Sequence, residues 1–167
     1  MGKSRFKWEK LAVIAKPTRD MFQGATALNL DAKGRLAVPT RHRDGLLSAG
    51  SSKQVLTAHP HRCVLLYPAP AWEPIRARIM SFSSFDAQAS LWKRLLVGFA
   101  EEVELDASGR LLISPELRKF ASFEKEVMMV GQGSHFEIWS QEAWEKQLDL
   151  LSTSTDKLPA GMENFAL

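Results

Sequence analysis

The sequence predicts an α+β protein that contains two tandem copies of one small β module with short helices. Residues 30–36 (LDAKGRL) recur as residues 105–111 (LDASGRL), with six of seven positions identical at an offset of 75. A second block recurs at an offset of 72, where Leu66-Tyr67 and Trp72-Glu73 are matched by Ile138-Trp139 and Trp144-Glu145. Because both repeats keep the same order, duplication of one supersecondary unit is the simplest explanation.

Each copy is predicted to begin with a β-hairpin. In copy one, Thr26, Leu28 and Leu30 alternate with small or polar residues, as in a half-buried strand. Residues 31–34 (DAKG) put Asp at the first position and Gly at the last, which favours a type I turn with glycine at positive φ. Alternation resumes after the turn and completes a strand–turn–strand pattern. The predicted turn-shaping residues are Asp31, Gly34, Asp106 and Gly109.

A short helix and two strands follow the hairpin in each copy. In copy two, Ser114 is a favourable N-cap and Pro115 suits the first helical position. The matching helix of copy one begins at Pro39-Thr40 and ends near Gly50. The strands are predicted over residues 54–58, 63–67, 126–130 and 135–139.

A helix is predicted to close each copy, capped by Ser140 in copy two and with Pro74 near its start in copy one. Helical spacing of apolar residues predicts two helices packed between the copies, and Ser83 or Ser84 is expected to cap the second. The residues that carry this spacing are Ile75, Ile79, Phe82, Leu91, Leu95 and Phe99. The predicted segments are a basic N-terminal extension (1–20), the first module with its helical insert (21–98), the second module (99–151) and a mobile tail (152–167).

The positive charge is concentrated in the N-terminal extension. The chain has a net charge of +3, but residues 1–20 contain six basic and two acidic side chains, so the remainder is close to neutral. The extension is either a basic arm that adds phosphate contacts or the product of a start codon chosen upstream of the native one, and the second interpretation is preferred. Any nucleic-acid prediction must therefore depend on local clusters.

Several protein classes are disfavoured by composition. Residues 11–15 are the longest apolar run near the start, far short of the roughly 20 residues of a membrane helix. Cys63 is the single cysteine, so an internal disulfide is impossible, and a reducing cytoplasmic setting fits the sequence. We expect no membrane association, no cofactor and no small-molecule effector.

The first turn and the helix after it form a basic cluster. Four basic residues and no acidic one lie between Asp31 and Asp44: Lys33, Arg35, Arg41 and Arg43. A β-ribbon can enter the DNA major groove, where arginine pairs with guanine, while lysine and helix-start arginines suit phosphates. The alternative, preferred on pattern alone, is that Asp31 and Arg35 only bridge the turn. Copy two retains Arg110 but replaces the turn lysine with Ser108.

Metal binding and catalysis are the two other functions that the sequence offers. His59, His61 and Cys63 alternate and would share one face of a strand, as zinc ligands can, but Pro60 breaks the pattern. A loop followed by a buried thiol is the preferred interpretation, without a metal site. Asp31 and Asp106 offer twin carboxylates, yet Asp is expected at the first position of a turn for conformational reasons alone. Neither a phosphate-binding loop nor a nucleophile elbow is present, so the sequence predicts no enzyme.

Several of these segments together resemble the MraZ family. They are residues 21–25 (MFQGA), 30–36 (LDAKGRL), 38–39 (VP), 65–68 (LLYP), 72–73 (WE), 104–110 (ELDASGR) and 130–132 (VGQ). The resemblance implies a duplicated swapped-hairpin, AbrB-like fold with a pseudo-twofold axis inside the chain. It also implies a bacterial, nucleoid-associated transcriptional regulator that binds repeated boxes in double-stranded DNA, upstream of its own division and cell-wall gene cluster.

The resemblance further implies a ring-shaped homo-oligomer and assigns DNA contact to the Asp-x-Lys-Gly-Arg turn. In this chain the turn comprises Asp31, Lys33, Gly34 and Arg35, with Arg35 as the residue that reads bases. Arg41, Arg43 and Arg110 complete the predicted DNA-binding set. The remaining alternative is an AbrB-like interaction module of the antitoxin type, whose main partner is a protein.

Overall fold

The computed structural model describes residues 22–48, 51–154 and 158–165, so the predicted N-terminal extension lies outside the described residues. These ranges contain eight strands and five helices. In chain order they are β1 Ala25–Asn29, β2 Arg35–Ala37, α1 Thr40–Ser48, β3 Lys53–Ala58, β4 Val64–Pro68, α2 Ala69–Met80, α3 Ala87–Leu96, β5 Glu101–Glu104, β6 Arg110–Leu112, α4 Pro115–Phe120, β7 Glu126–Gly131, β8 Phe136–Ser140 and α5 Gln141–Ser154. The mixed α/β composition agrees with the predicted class.

The strands form two antiparallel sheets that interleave the copies. The large sheet has the order β1-β7-β8-β4-β3-β5, and β2 pairs with β6 in a separate two-stranded ribbon. Thus β1 of copy one pairs with β7 of copy two, and β5 of copy two pairs with β3 of copy one. The first three strands of copy one, β1, β2 and β3, therefore pair with β7, β6 and β5 of copy two. Neither copy forms its sheets with its own residues alone.

The register reflects the duplication. In the ribbon, Leu36 pairs with Leu111, and these are the same position of the two copies at the offset of 75. In the large sheet, Leu65 pairs with Glu137, which are equivalent at the offset of 72. A residue can pair with its own repeat mate only where an approximate twofold axis passes between the two strands. Both sequence offsets therefore correspond to local twofold positions in the fold.

The predicted hairpin needs correction. β1 and β2 meet only at the turn, through a single bridge between Leu30 and Leu36, and then diverge into different sheets. The turn chemistry was predicted correctly, but the pairing of the two strands with each other was wrong. The reason is that the Leu36 side chain is fully buried in the ribbon, where Leu36 pairs with Leu111 of copy two. A hairpin of β1 and β2 alone would bury less apolar surface.

Both faces of the large sheet are covered. Leu56, Leu66 and Phe136 lie on one face, in the core cluster that also contains Leu36 and Leu111 of the ribbon. The opposite face carries a second cluster with Val55, Leu65, Tyr67, Trp72 and Trp139, against which α2 and α5 pack. Two-sided burial explains why β4 is a continuous run of apolar residues and shows no polar alternation.

The helical insert differs from its prediction. α2 starts directly after β4, so Pro74 lies inside the helix, and Phe82 falls beyond its end with an exposed side chain. Neither Ser83 nor Ser84 caps α3. Asp86 is the N-cap, and its Oδ1 accepts a hydrogen bond from the Ala89 backbone N–H at 2.8 Å. Aspartate is as favourable as serine at an N-cap, so the sequence alone could not show which of Ser83, Ser84 and Asp86 caps the helix.

The caps of copy two and the strands are confirmed with small shifts. Ser114 Oγ accepts from Leu117 N–H at 3.3 Å with Pro115 following, and Ser140 Oγ accepts from Ala143 N–H at 3.1 Å. α5 continues to Ser154, so the predicted tail begins too early, because the helix includes its first residues. Its mobility stays a prediction. Within the described ranges, every helix is too short or too polar to cross a membrane.

Candidate nucleic-acid interface

The first turn is held by the Asp31 side chain. Its Oδ1 accepts hydrogen bonds from the backbone N–H groups of Lys33 and Arg35, both at 2.9 Å. Its Oδ2 accepts from Arg35 Nε at 2.6 Å. Gly34 closes the turn with φ +82°, a conformation that favours glycine. The Asp31–Arg35 bridge, predicted as the alternative to DNA contact, is therefore present, and it also fixes the direction of the Arg35 guanidinium.

The second turn repeats this geometry. Asp106 Oδ1 accepts from the backbone N–H groups of Ser108 and Arg110 at 2.9 Å, and Oδ2 accepts from Arg110 Nε at 2.9 Å. Gly109 has φ +74°. The four residues predicted to shape the turns thus occupy equivalent positions in the two copies.

Hydrogen bonding in the turns favours the charged carboxylates. The backbone N–H of Arg35 is the main reason why the pKa of Asp31 lies below its ordinary value, and the backbone N–H of Arg110 lowers the pKa of Asp106 in the same way. The folded state therefore gains stability from ionised Asp31 above the ordinary aspartate pKa. This contribution is lost as pH falls below that value towards the lowered pKa of the folded protein.

We expect Asp31→Asn to be destabilised at neutral pH, with a difference from wild type that shrinks as the pH falls below about 4. Urea unfolding of both proteins at successive pH values measures this difference. Asp44→Asn, which removes an exposed carboxylate of α1 outside the turn, is the matched control. A wild-type advantage that stayed constant down to pH 2 would contradict the assignment.

The ribbon places the two turns on one surface. Because Arg35 pairs with Leu112 and Ala37 with Arg110, these four side chains lie on the outer face, opposite the buried Leu36 and Leu111. Arg35 and Arg110 each keep about a third of their side-chain surface exposed, at 30% and 33%. The ribbon therefore presents two arginines outward from a rigid, buried base.

The two arginines differ in their acidic neighbours. Within the described residues Arg35 pairs only with Asp31, whereas Arg110 Nη1 lies 4.0 Å from Asp31 Oδ2 in addition to its own pair with Asp106. Lys33 is exposed and makes no ion pair within the described residues, but the equivalent position in copy two is Ser108. Copy one is thus the more basic half of the surface.

Arg43 and its repeat mate Arg118 contact the turns of the opposite copies. Arg43 Nε donates to Val38 O at 2.8 Å, and Arg118 Nε donates to Ile113 O at 3.0 Å. A Cβ on Gly109 would lie 2.3 Å from Arg43 Nε, and one on Gly34 would lie 2.5 Å from Arg118 Nε. The glycines therefore serve two purposes, positive φ and room for an arginine.

The sequence did not identify Arg118 as a site residue, although its match with Arg43 at the offset of 75 was the available signal. Arg41 is exposed, but its Nη2 donates to Thr26 Oγ1 on β1 and its Nε to the His42 ring. The structure thus brings Lys33, Arg35 and Arg110 to the outer surface. The guanidinium groups of Arg41 and Arg43, in contrast, form hydrogen bonds with other atoms of the chain.

The histidine–cysteine segment lies elsewhere, at the turn between β3 and β4. His59 N–H donates to Cys63 O at 3.0 Å and Arg62 N–H to His59 O at 2.9 Å, which forms a tight turn through Pro60. Cys63 is fully buried, so the thiol that follows this loop is buried, as predicted. His61 is exposed, so the three residues of the alternating His-Cys pattern, which was the disfavoured zinc set, do not share one face.

These features define a class of protein: a duplicated α/β chain whose interleaved copies hold paired Asp–Arg turns on a rigid two-stranded ribbon. The sequence profile of the MraZ family, described as "MraZ protein, putative antitoxin-like", matches residues 21–95 and again residues 96–163. The chain belongs to the MraZ family.

Relatives in this family carry the name transcriptional regulator MraZ. The chain is 64% identical over 148 residues to the protein from Methylobacillus flagellatus, 57% to that from Dechloromonas aromatica and 55% to that from Azoarcus sp.. Each alignment covers 88% of this chain and the whole of the relative. The name describes regulators of transcription, which are not a class of enzyme.

Proposed function

We propose that this chain is a sequence-specific DNA-binding regulator of transcription that contacts the major groove of double-stranded DNA with the outer face of the β2–β6 ribbon. The observation that carries the proposal is the fixed guanidinium of Arg35. Its Nε donates to Asp31, and within the described residues neither Nη group forms a hydrogen bond or an ion pair, so both are available for a bidentate contact with guanine O6 and N7. Fixing the side chain before binding lowers the entropy cost of that contact.

The other predicted residues take different roles in this proposal. Lys33 contacts phosphate at the tip of the turn, since it is exposed and unpaired in the described part of the chain. Arg110 supplies a weaker second contact, because two carboxylates share its charge. Arg41 and Arg43, predicted as phosphate contacts, are better explained as residues that support β1 and the opposite turn, respectively.

We also propose that this chain forms the assembly that the family resemblance implies. Strand exchange between the copies supports a swapped-hairpin, AbrB-like arrangement. One small ribbon buries little DNA surface, so we propose that a ring-shaped homo-oligomer binds repeated boxes upstream of the chain's own division and cell-wall gene cluster. Linked sites raise the effective concentration, and avidity adds roughly 10²–10⁴ when the geometry permits. Such a protein acts in the cytoplasm, at the nucleoid.

Fluorescence anisotropy with the DNA upstream of this gene tests the proposal. The full chain and a chain beginning at Met21 should both bind this DNA much more tightly than a scrambled sequence, across a series of salt concentrations. Binding by the full chain alone, with a steep salt dependence and no sequence preference, would assign the affinity to residues 1–20. That result would overturn the ribbon proposal and favour the antitoxin-type alternative, with a protein as the main partner.

We expect Lys33→Ala to weaken binding to specific and scrambled DNA by similar factors. Loss of one phosphate contact should reduce the slope of log affinity against log salt by about 1. The same anisotropy titrations measure this slope. Ser108→Ala, at the equivalent position of copy two, is the control and should leave the slope unchanged. A loss of affinity confined to the specific sequence would show that Lys33 reads bases instead.

A further inference from the structure

A cluster of three potential metal ligands lies away from the ribbon, where the two copies meet in the large sheet. His59 and Cys63 flank the turn between β3 and β4 of copy one, and Glu137 comes from β8 of copy two. β4 and β8 are adjacent antiparallel strands, with Val64 opposite Ile138 and Leu65 opposite Glu137. The pairing of β4 with β8 therefore brings together ligands from two distant parts of the chain, and the three residues do not belong to a single loop.

The distances within the cluster suit one cation. One ligand atom from each residue lies within 4.8 Å of the other two, and Cys63 Sγ is 3.4 Å from Glu137 Oε2. Tetrahedral zinc with bonds of about 2.0–2.3 Å holds its ligand atoms about 3.3–3.8 Å apart. The thiol and the carboxylate already satisfy this spacing, so rotation of the His59 imidazole is the main adjustment required.

The surroundings of Cys63 are unfavourable for a thiolate unless a cation is bound. Cys63 is fully buried, and Glu137 forms no ion pair with any lysine or arginine of the described residues. The Cys63 thiol donates a hydrogen bond to Glu137 Oε2 at 3.4 Å. A divalent cation placed between the sulfur and the carboxylate would displace this proton and neutralise both negative charges.

We propose that His59, Cys63 and Glu137 bind one Zn²⁺ ion through nitrogen, sulfur and oxygen, with the fourth position open to water. This donor set is borderline-soft and favours zinc over magnesium or calcium. Nδ1 of His59 accepts a hydrogen bond from His61 N–H at 3.1 Å. Metal binding removes this hydrogen bond in either case, because a metal on Nδ1 takes the accepting lone pair and a metal on Nε2 leaves a proton on Nδ1. The cation joins the β3–β4 turn to β8 and so links the two copies.

The twofold relation of the copies explains why there is one site and not two. At the offset of 72, Cys63 corresponds to His135, His59 to Gly131 and Glu137 to Leu65. His135 stacks on Tyr67 with ring centroids 4.5 Å apart, on the other side of the local axis. The equivalent position therefore has a histidine but neither a second nitrogen nor a carboxylate ligand.

Titration of the tag-free, chelator-treated full-length chain with Co²⁺, followed by displacement with Zn²⁺, tests the site. We expect one equivalent per chain and a thiolate-to-cobalt charge-transfer band, which is abolished in Cys63→Ser. His59→Asn and Glu137→Gln should weaken the apparent affinity by roughly tenfold or more. His42→Asn and Glu126→Gln, which change the same residue types outside the cluster, should bind as the wild type does.

Absence of the charge-transfer band in the wild type, or equal affinity in Glu137→Gln and the wild type, would overturn the proposal. Circular dichroism and urea unfolding identify any variant that fails to fold. If Cys63→Ser is such a variant, X-ray absorption of the zinc-loaded wild type decides, since it should contain one Zn–S bond of about 2.3 Å. A zinc shell without sulfur would exclude the site.

Discussion

Arg35→Ala should weaken binding to the upstream DNA by about 1–3 kcal/mol, which is roughly a 5-fold to 150-fold rise in Kd. The reason is that Arg35 has both features of a base-reading residue, an outward position on the ribbon and a guanidinium fixed by Asp31 at 2.6 Å. Binding to scrambled DNA should change much less, because a base contact contributes little when the base is wrong. Anisotropy titrations with both DNAs at one salt concentration measure the two effects.

Two matched variants sharpen this test. Arg110→Ala removes the repeat mate of Arg35, and we expect a smaller loss because Arg110 is shared between Asp106 and Asp31. Arg35→Lys retains the charge but lacks the planar fork needed for two hydrogen bonds to guanine. Wild-type affinity in Arg35→Lys would contradict base reading and leave Arg35 as a phosphate contact. Equal losses in the two alanine variants would contradict the asymmetry between the copies.

The turns could be predicted from the sequence because their determinants are local. Asp31 and Gly34 lie within four residues of each other, and each satisfies a conformational requirement of the same turn. The six-of-seven repeat then transferred this prediction to the second copy without further information. Ser114 and Ser140 were found for the same reason, since an N-cap bonds to a residue only three positions away.

Pairing between distant segments could not be predicted in this way. The alternation of residues 26–38 is satisfied equally by a hairpin and by two strands that join different sheets, because period two specifies which face is buried but not which strand is the neighbour. The structure pairs Leu36 with Leu111, 75 residues away. The offset of 75 shows that residues 30–36 and 105–111 are copies of one motif, but it does not show that the two copies contact each other.

The residues that the sequence missed share this long-range character. Arg118 contacts Gly34 of the other copy, and Glu137 approaches Cys63 from a strand that follows it by 74 residues. Sequence spacing suggested His61 as the partner of His59 and Cys63, yet His61 is exposed at the turn. Ligand patterns confined to one strand therefore overlook a carboxylate supplied by the neighbouring strand.

Leu111→Ala is expected to lower the free energy of unfolding by about 2–5 kcal/mol. Leu111 is fully buried, pairs with Leu36 at the centre of the ribbon and belongs to the main core cluster. Truncation removes apolar contact and leaves a cavity that the short ribbon cannot close, because strand pairing on either side of Leu111 holds its backbone in place. Urea unfolding followed by circular dichroism measures the change.

Leu112→Ala is the matched control, since it removes the same atoms one residue further along the same strand. Leu112 points to the outer face and is 54% exposed, so we expect a change within about 0.5 kcal/mol. The pair of variants tests the register directly, because a shift of one residue would exchange the buried and exposed faces. Comparable losses in both variants, or a larger loss in Leu112→Ala, would show that Arg35 and Arg110 do not share the outer face. The base-reading role assigned to Arg35 would then be wrong as well.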